Sequence, residues 1–113
     1  MEREFIYFNA FDKNWEALGL NDDDLIELEN EIMANPDAAE LIQGTGGLRK
    51  IRFPLPGKGK SGGARVLYVD FIFYGKVFMI NVYQKPEKEN ITDREKKAYK
   101  QIIDETLKHI RGD

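Results

Sequence analysis

With 113 residues, 42% of them hydrophobic and 12% aromatic, the chain is sized for one folded domain, 1–113, and is too apolar for a disordered tail. The absence of cysteine excludes a disulfide framework and a thiolate metal site. No apolar run reaches bilayer length and Met1-Glu2-Arg3-Glu4 is unlike a signal peptide, so the expectation is a cytoplasmic protein with no membrane partner. The net charge of −3 hides a partition. Residues 1–43 carry twelve acidic and two basic residues, a net of −10. Residues 44–85 set eight basic residues against Asp70 alone, a net of +7, and residues 86–113 carry seven of each sign. Local potential governs an encounter with a polyanion more than the total does.

In chain order, Glu4 to Phe8 is apolar and aromatic enough for a short strand. A short helix follows from Asn9, with Phe11, Trp15 and Leu18 at i, i+4 and i+7 toward a core and Gly19 at its end. Asn21 is placed to cap a second helix whose first turn holds Asp22, Asp23 and Asp24, where the helix dipole favours negative charge. Leu25, Leu28, Ile32 and Met33 form its apolar stripe, and Asn35-Pro36 closes it. Consecutive carboxylates point in different directions, so the triple Asp is not a metal site. Asp37 to Ile42 reads as a turn or short helix.

Leu48 to Phe53 predicts a strand with Leu48, Lys50 and Arg52 on one face and Arg49, Ile51 and Phe53 on the other. Pro54-Leu55-Pro56-Gly57 breaks it, and 58–63 is expected as a flexible loop. Ala64 to Phe73 or Tyr74 is a strand, and Gly75-Lys76 turns the chain back into Val77 to Tyr83. Both runs are apolar on both faces, which marks central strands covered by helices. Thr92 and Glu95 form a capping box for a last helix running to about Ile110. The order β-α-α-β-β-β-α predicts a small α+β domain, an antiparallel sheet packed by helices.

Gly44 to Arg65 (GTGGLRKIRFPLPGKGKSGGAR) concentrates the chemistry. It holds Arg49, Lys50, Arg52, Lys58, Lys60 and Arg65, no carboxylate, and seven of the ten glycines. Cations so crowded repel one another until something anionic is brought to them, and a nucleic-acid backbone is the commonest such partner. The bland alternative is a solvated basic loop, but such loops ordinarily intersperse acidic residues. Sole His109 falls in a helix's last turn, where its charge complements the dipole. That excludes a histidine-pair ribonuclease, a His-centred metal site and a Ser-His-Asp triad. GKGKSGG lacks the spacing and the strand-to-helix context of a P-loop. What remains is a cationic concavity of Lys58, Lys60, Arg65 and Lys85. Such a groove can stabilise the transition state of phosphodiester cleavage by a neighbouring 2′-OH, without metal or other cofactor. A crowded lysine has a lowered pKa and can move a proton. Tyr68 and Tyr83 read equally as core residues or as platforms on which a base stacks.

The strings IQGTGGLRKIR (42–52), GKGKSGGARVLY (57–68) and VYQK (82–85), with NP at 35–36, resemble the RelE superfamily of toxins, and within it the HigB-like branch. The similarity covers nearly the whole chain. It implies the RelE-like fold, a ribosome-dependent endoribonuclease that cuts mRNA and arrests translation, and an adjacently encoded antitoxin, expected to be of helix-turn-helix type. By position, Lys58 and Lys60 match the family's loop lysines and Arg65 its strand arginine. Lys85 falls where many members have another arginine. Many members also carry a catalytic tyrosine whose nearest match here is Ile91. Family members are often basic overall, so this net-acidic chain would meet ribosomal RNA with one face only. Two functions therefore stand: an mRNA interferase, with Arg49, Lys50, Arg52, Tyr68 and Tyr83 as further RNA contacts, and a non-catalytic RNA- or protein-binding module that keeps the fold.

Overall fold

The two runs that are apolar at odd and even positions alike become neighbouring inner strands. The computed structural model describes every residue except Met1, Asp37, Lys58, 85–89 and Asp113, and of 59–61 it describes the backbone alone. β1 (Glu4–Tyr7) leads through α1 (Asn9–Ala17) and α2 (Asp22–Ala34) to β2 (Glu40–Leu41). β3 (Leu48–Leu55), β4 (Gly59–Phe71), β5 (Lys76–Gln84) and α3 (Asp93–Arg111) complete the described elements. The sheet order is β1-β5-β4-β3-β2. The α+β class is found as expected. The sheet is antiparallel except at one edge, where β1 runs parallel to β5 and makes it mixed.

Helices cover both sheet faces, which is why β4 and β5 are apolar throughout. On one face Phe11, Trp15, Leu28 and Ile32 of α1 and α2 pack on Ile51, Phe53, Val66, Tyr68, Met79 and Val82. On the other, Ile103 of α3 packs with Leu48, Leu67, Val69, Phe78, Ile80 and Ile91. A buried aliphatic side chain contributes about 1.5–3 kcal/mol, so neither layer is dispensable in so small a domain. The expected caps form. Asn21 accepts from the Asp24 N–H at 2.9 Å and the Asp24 carboxylate accepts from the Asn21 N–H at 2.9 Å. Thr92 and Glu95 reciprocate likewise at the start of α3. Gly19 follows α1 at φ +78, a conformation with no Cβ penalty for glycine.

Four expectations change. The segment read as a turn or short helix holds strand β2, because Glu40 and Leu41 pair with Lys50 and Arg49 and the Ile42 N–H donates to the Leu48 carbonyl at 2.9 Å. Met33 is exposed, sharing one line with exposed Ile26 seven residues earlier and beside the buried stripe. β4 stops at Phe71, and a 3-10 turn at Ile72–Tyr74, closed by Gly75 at φ 63, precedes β5. The loop at 58–63 is largely strand, since β3 continues through Pro54 to Leu55 and β4 begins at Gly59. Pairing passes from Phe53↔Ala64 to Leu55↔Gly59, and Pro54, which has no N–H to donate, sits at that irregularity.

Candidate nucleic-acid interface

The GTGG sequence builds a turn, and Thr45 is its staple. Thr45 is fully buried; its hydroxyl donates to the Ile42 carbonyl at 2.6 Å and accepts from the Leu48 N–H at 3.0 Å. Gly44, Gly46 and Gly47 all have positive φ, +81, +78 and +123, which reverses the chain between β2 and β3. A Cβ on Gly46 would come within 3.7 Å of the Asp104 carboxylate of α3, so the turn also docks on that helix. These glycines thus serve the fold. Two of the six cations are likewise engaged. The Arg49 guanidinium donates to the Ala39 carbonyl at 3.2 Å, and the Lys50 ammonium lies 3.6 Å from the Glu40 carboxylate. The missing counter-charge for Lys50 comes from the preceding strand.

Arg65 is different. It lies between Ala64 and Val66, which face α1 and α2, so its side chain is on the α3 face with Leu67. It pairs across the ladder with Arg52 on one side and Tyr83 on the other. Only 3% of Arg65 is exposed, yet among the described residues its guanidinium has no carboxylate partner, only a 3.4 Å hydrogen bond to the Ala64 carbonyl. Arg52 is exposed and stands opposite it. Like charges directly across a ladder destabilise the pair. An unpaired buried charge costs several kcal/mol, order of magnitude, unless an opposite charge meets it.

Nearby, Glu40, Ile42, Lys50, Asn90, Ile91 and Lys96 line a recess of about 140 Å³ on the same face. Tyr83 packs its ring against the α3-side core, and its hydroxyl is buried without a hydrogen-bond partner. Burial raises its pKa, the nearby Arg65 opposes that shift, and Tyr99, Glu95 and Glu40 add to it. Tyr99 is tied to the sheet: its hydroxyl accepts from the Asn81 amide at 3.3 Å, and Asn81 accepts from Asn14 of α1 at 2.7 Å. Asn81 reaches both helical layers because the β4–β5 pairing shifts between Leu67 and Tyr68.

Of the residues singled out in the sequence, the α3 face brings together Lys50, Arg52, Arg65 and Tyr83. Lys58 and Lys85 lie outside the described residues, as does the side chain of Lys60. Arg49 is on the opposite face. Tyr68 corrects the stacking expectation: it is 1% exposed, inside the α1–α2 core, where no base reaches its ring. Ile91, the nearest match to the tyrosine that the resemblance implies, is 7% exposed and part of the α3-side core. Glu40, Lys96 and Tyr99 escaped sequence reasoning because no spacing links them to Arg65; only the register and the docking of α3 do. Among the described residues no group of His, Cys, Asp or Glu could hold a metal ion, and no described helix is long and apolar enough to cross a membrane.

The molecule is thus a small α+β domain with an acidic helical layer on one side of a mixed sheet and, on the other, an arginine pair with no carboxylate partner among the described residues. A model of the family described as the RelE toxin of the RelE / RelB toxin–antitoxin system matches residues 6–112. The chain belongs to this family of toxins, whose partners are antitoxins.

Proposed function

We propose that this toxin is a ribosome-dependent endoribonuclease of the HigB-like kind, cutting mRNA by attack of a 2′-OH on the adjacent phosphodiester. Its antitoxin is a cognate protein encoded beside it, and its place of action is the cytoplasm. The observation that carries the reading is buried Arg65, opposite Arg52, with no carboxylate partner among the described residues. As the 2′ oxygen closes on phosphorus, negative charge grows on the non-bridging oxygens. A preorganised guanidinium in a site shielded from water stabilises that charge far better than solvent does. Arg52 and Lys50 track the flanking backbone phosphates, and Lys58, Lys60 and Lys85, assigned by sequence position alone, take part in proton transfer. A non-catalytic binding module is favoured by one observation: Ile91, buried and apolar, can move no proton.

The two readings part on ribosomes programmed with a defined mRNA, with cleavage read by primer extension. The wild type is expected to cut, and Arg65→Ala to lose about 100- to 1,000-fold in rate, the usual effect of removing one preorganised donor. The variant should still fold, because the substitution deletes a buried charge that has no carboxylate partner among the described residues. A folded wild type that binds ribosomes and arrests translation without cutting would establish the binding module instead.

A further inference from the structure

Tyr83 packs its ring into the α3-side core, and its hydroxyl is buried with no hydrogen-bond partner among the described residues. A buried hydroxyl without a hydrogen-bond partner is destabilising, and such a group in a native fold calls for a reason. Two features of its surroundings supply one. Tyr83 is the direct cross-strand neighbour of Arg65, so hydroxyl and guanidinium project from adjacent strands on one face. Among the described residues both groups are also unspent: Arg65 has five donors and makes one long hydrogen bond, and the phenol makes none. Burial holds the phenol protonated at neutral pH, so it is a donor there.

We propose that Tyr83 Oη–H and the Arg65 guanidinium form a donor pair for the non-bridging oxygens of the scissile phosphate, Tyr83 thereby being a catalytic residue of this toxin. Tyr83 keeps its proton throughout. The phenol and guanidinium donate to the non-bridging oxygens, which gain charge as the 2′-O–P bond forms and the P–O5′ bond breaks to leave a 2′,3′-cyclic phosphate and a 5′-hydroxyl; the proton lost by the 2′-OH and the one gained by the leaving 5′-oxygen pass through other groups. The inference rests on the endoribonuclease reading and adds to it a second donor, from β5, which the buried Ile91 cannot supply.

The test is Tyr83→Phe, which keeps the ring and removes only the oxygen. In single-turnover cleavage on programmed ribosomes the rate at saturating ribosome should fall about 100-fold while half-saturation stays unchanged, since the lost contact matters in the transition state. The melting temperature should stay level or rise, because an orphaned hydroxyl has been deleted. In an Arg65→Lys background the same change should cost much less than 100-fold, since both groups serve the same oxygens. Cleavage by Tyr83→Phe within about threefold of wild type would overturn the proposal. So would a lower melting temperature or failure to fold, because the hydroxyl would then have a partner in the native state. Failure of the underlying reading looks different: the wild type itself would not cut.

Discussion

Tyr68 and Tyr83 both bury a hydroxyl without a hydrogen-bond partner, but on opposite faces of the sheet, and their roles divide accordingly. Tyr68 lies in the α1–α2 core. Its pKa rises from about 10 to about 12, through desolvation first, with Arg49 opposing and Asp70 adding. The native state therefore keeps a phenolic proton that the unfolded chain sheds near pH 10. The resulting stability is fully present below that pH and is lost as pH climbs to about 12, some 2–3 kcal/mol over the interval. Tyr68→Phe should leave cleavage intact, match or exceed wild-type stability at pH 7, and lose less stability between pH 9 and 11. Urea midpoints at the two pH values measure this; equal losses in both proteins would refute it. The sequence pointed to both tyrosines without dividing them. Alternation placed Tyr68 and Arg65 on opposite faces, but which face lay under α1 and α2 depended on packing across the whole chain.

The turn between β2 and β3 shows the same boundary between what is local and what is not. The N-cap at Asn21, the capping box at Thr92 and glycine after α1 were legible because each is settled within four residues. The GTGG run gave no sign of its fold role in the sequence, because nothing local shows that Thr45 is buried or that its hydroxyl spans Ile42 and Leu48. Strand β2 was missed for a related reason: two residues carry no periodicity, and only their pairing with β3 makes them a strand. Likewise Pro54 reads as a strand breaker until the register shift beside it is known. Thr45→Val, close in shape, strands the Ile42 carbonyl and the Leu48 N–H in the interior and should cost about 1–3 kcal/mol. Ser, which restores the hydroxyl, should recover most of it. If denaturant unfolding shows Val as stable as wild type, the hydroxyl is not the staple described here.

Charge is the property that only the assembled molecule organises. The carboxylates of α1 and α2 make no ion pair among the described residues, and Asp12, Glu16, Asp22, Asp23 and Glu27 are exposed. They occupy the layer across the sheet from Arg52 and Arg65. The molecule measures 44 × 33 × 25 Å, so a polyanion at the arginine pair stands roughly one molecular thickness from these carboxylates. That distance exceeds the Debye length of about 8 Å at physiological ionic strength but not the 30 Å or so of 0.01 M salt. The acidic layer should therefore slow ribosome association in dilute buffer and be screened out at physiological salt. Glu16→Gln with Glu27→Gln, both outside the first helical turns, should raise the association rate at about 0.01 M salt and leave it unchanged at about 0.15 M. Arg52→Ala should slow association under both conditions and, in the equilibrium binding constant, flatten the salt dependence by about 0.7–0.9 in the log–log slope. Stopped-flow measurement of ribosome binding gives all of these rates. If the Gln pair accelerates binding equally at both ionic strengths, the acidic helices lie at the ribosome contact itself. The molecule then docks by a face other than the one bearing Arg65.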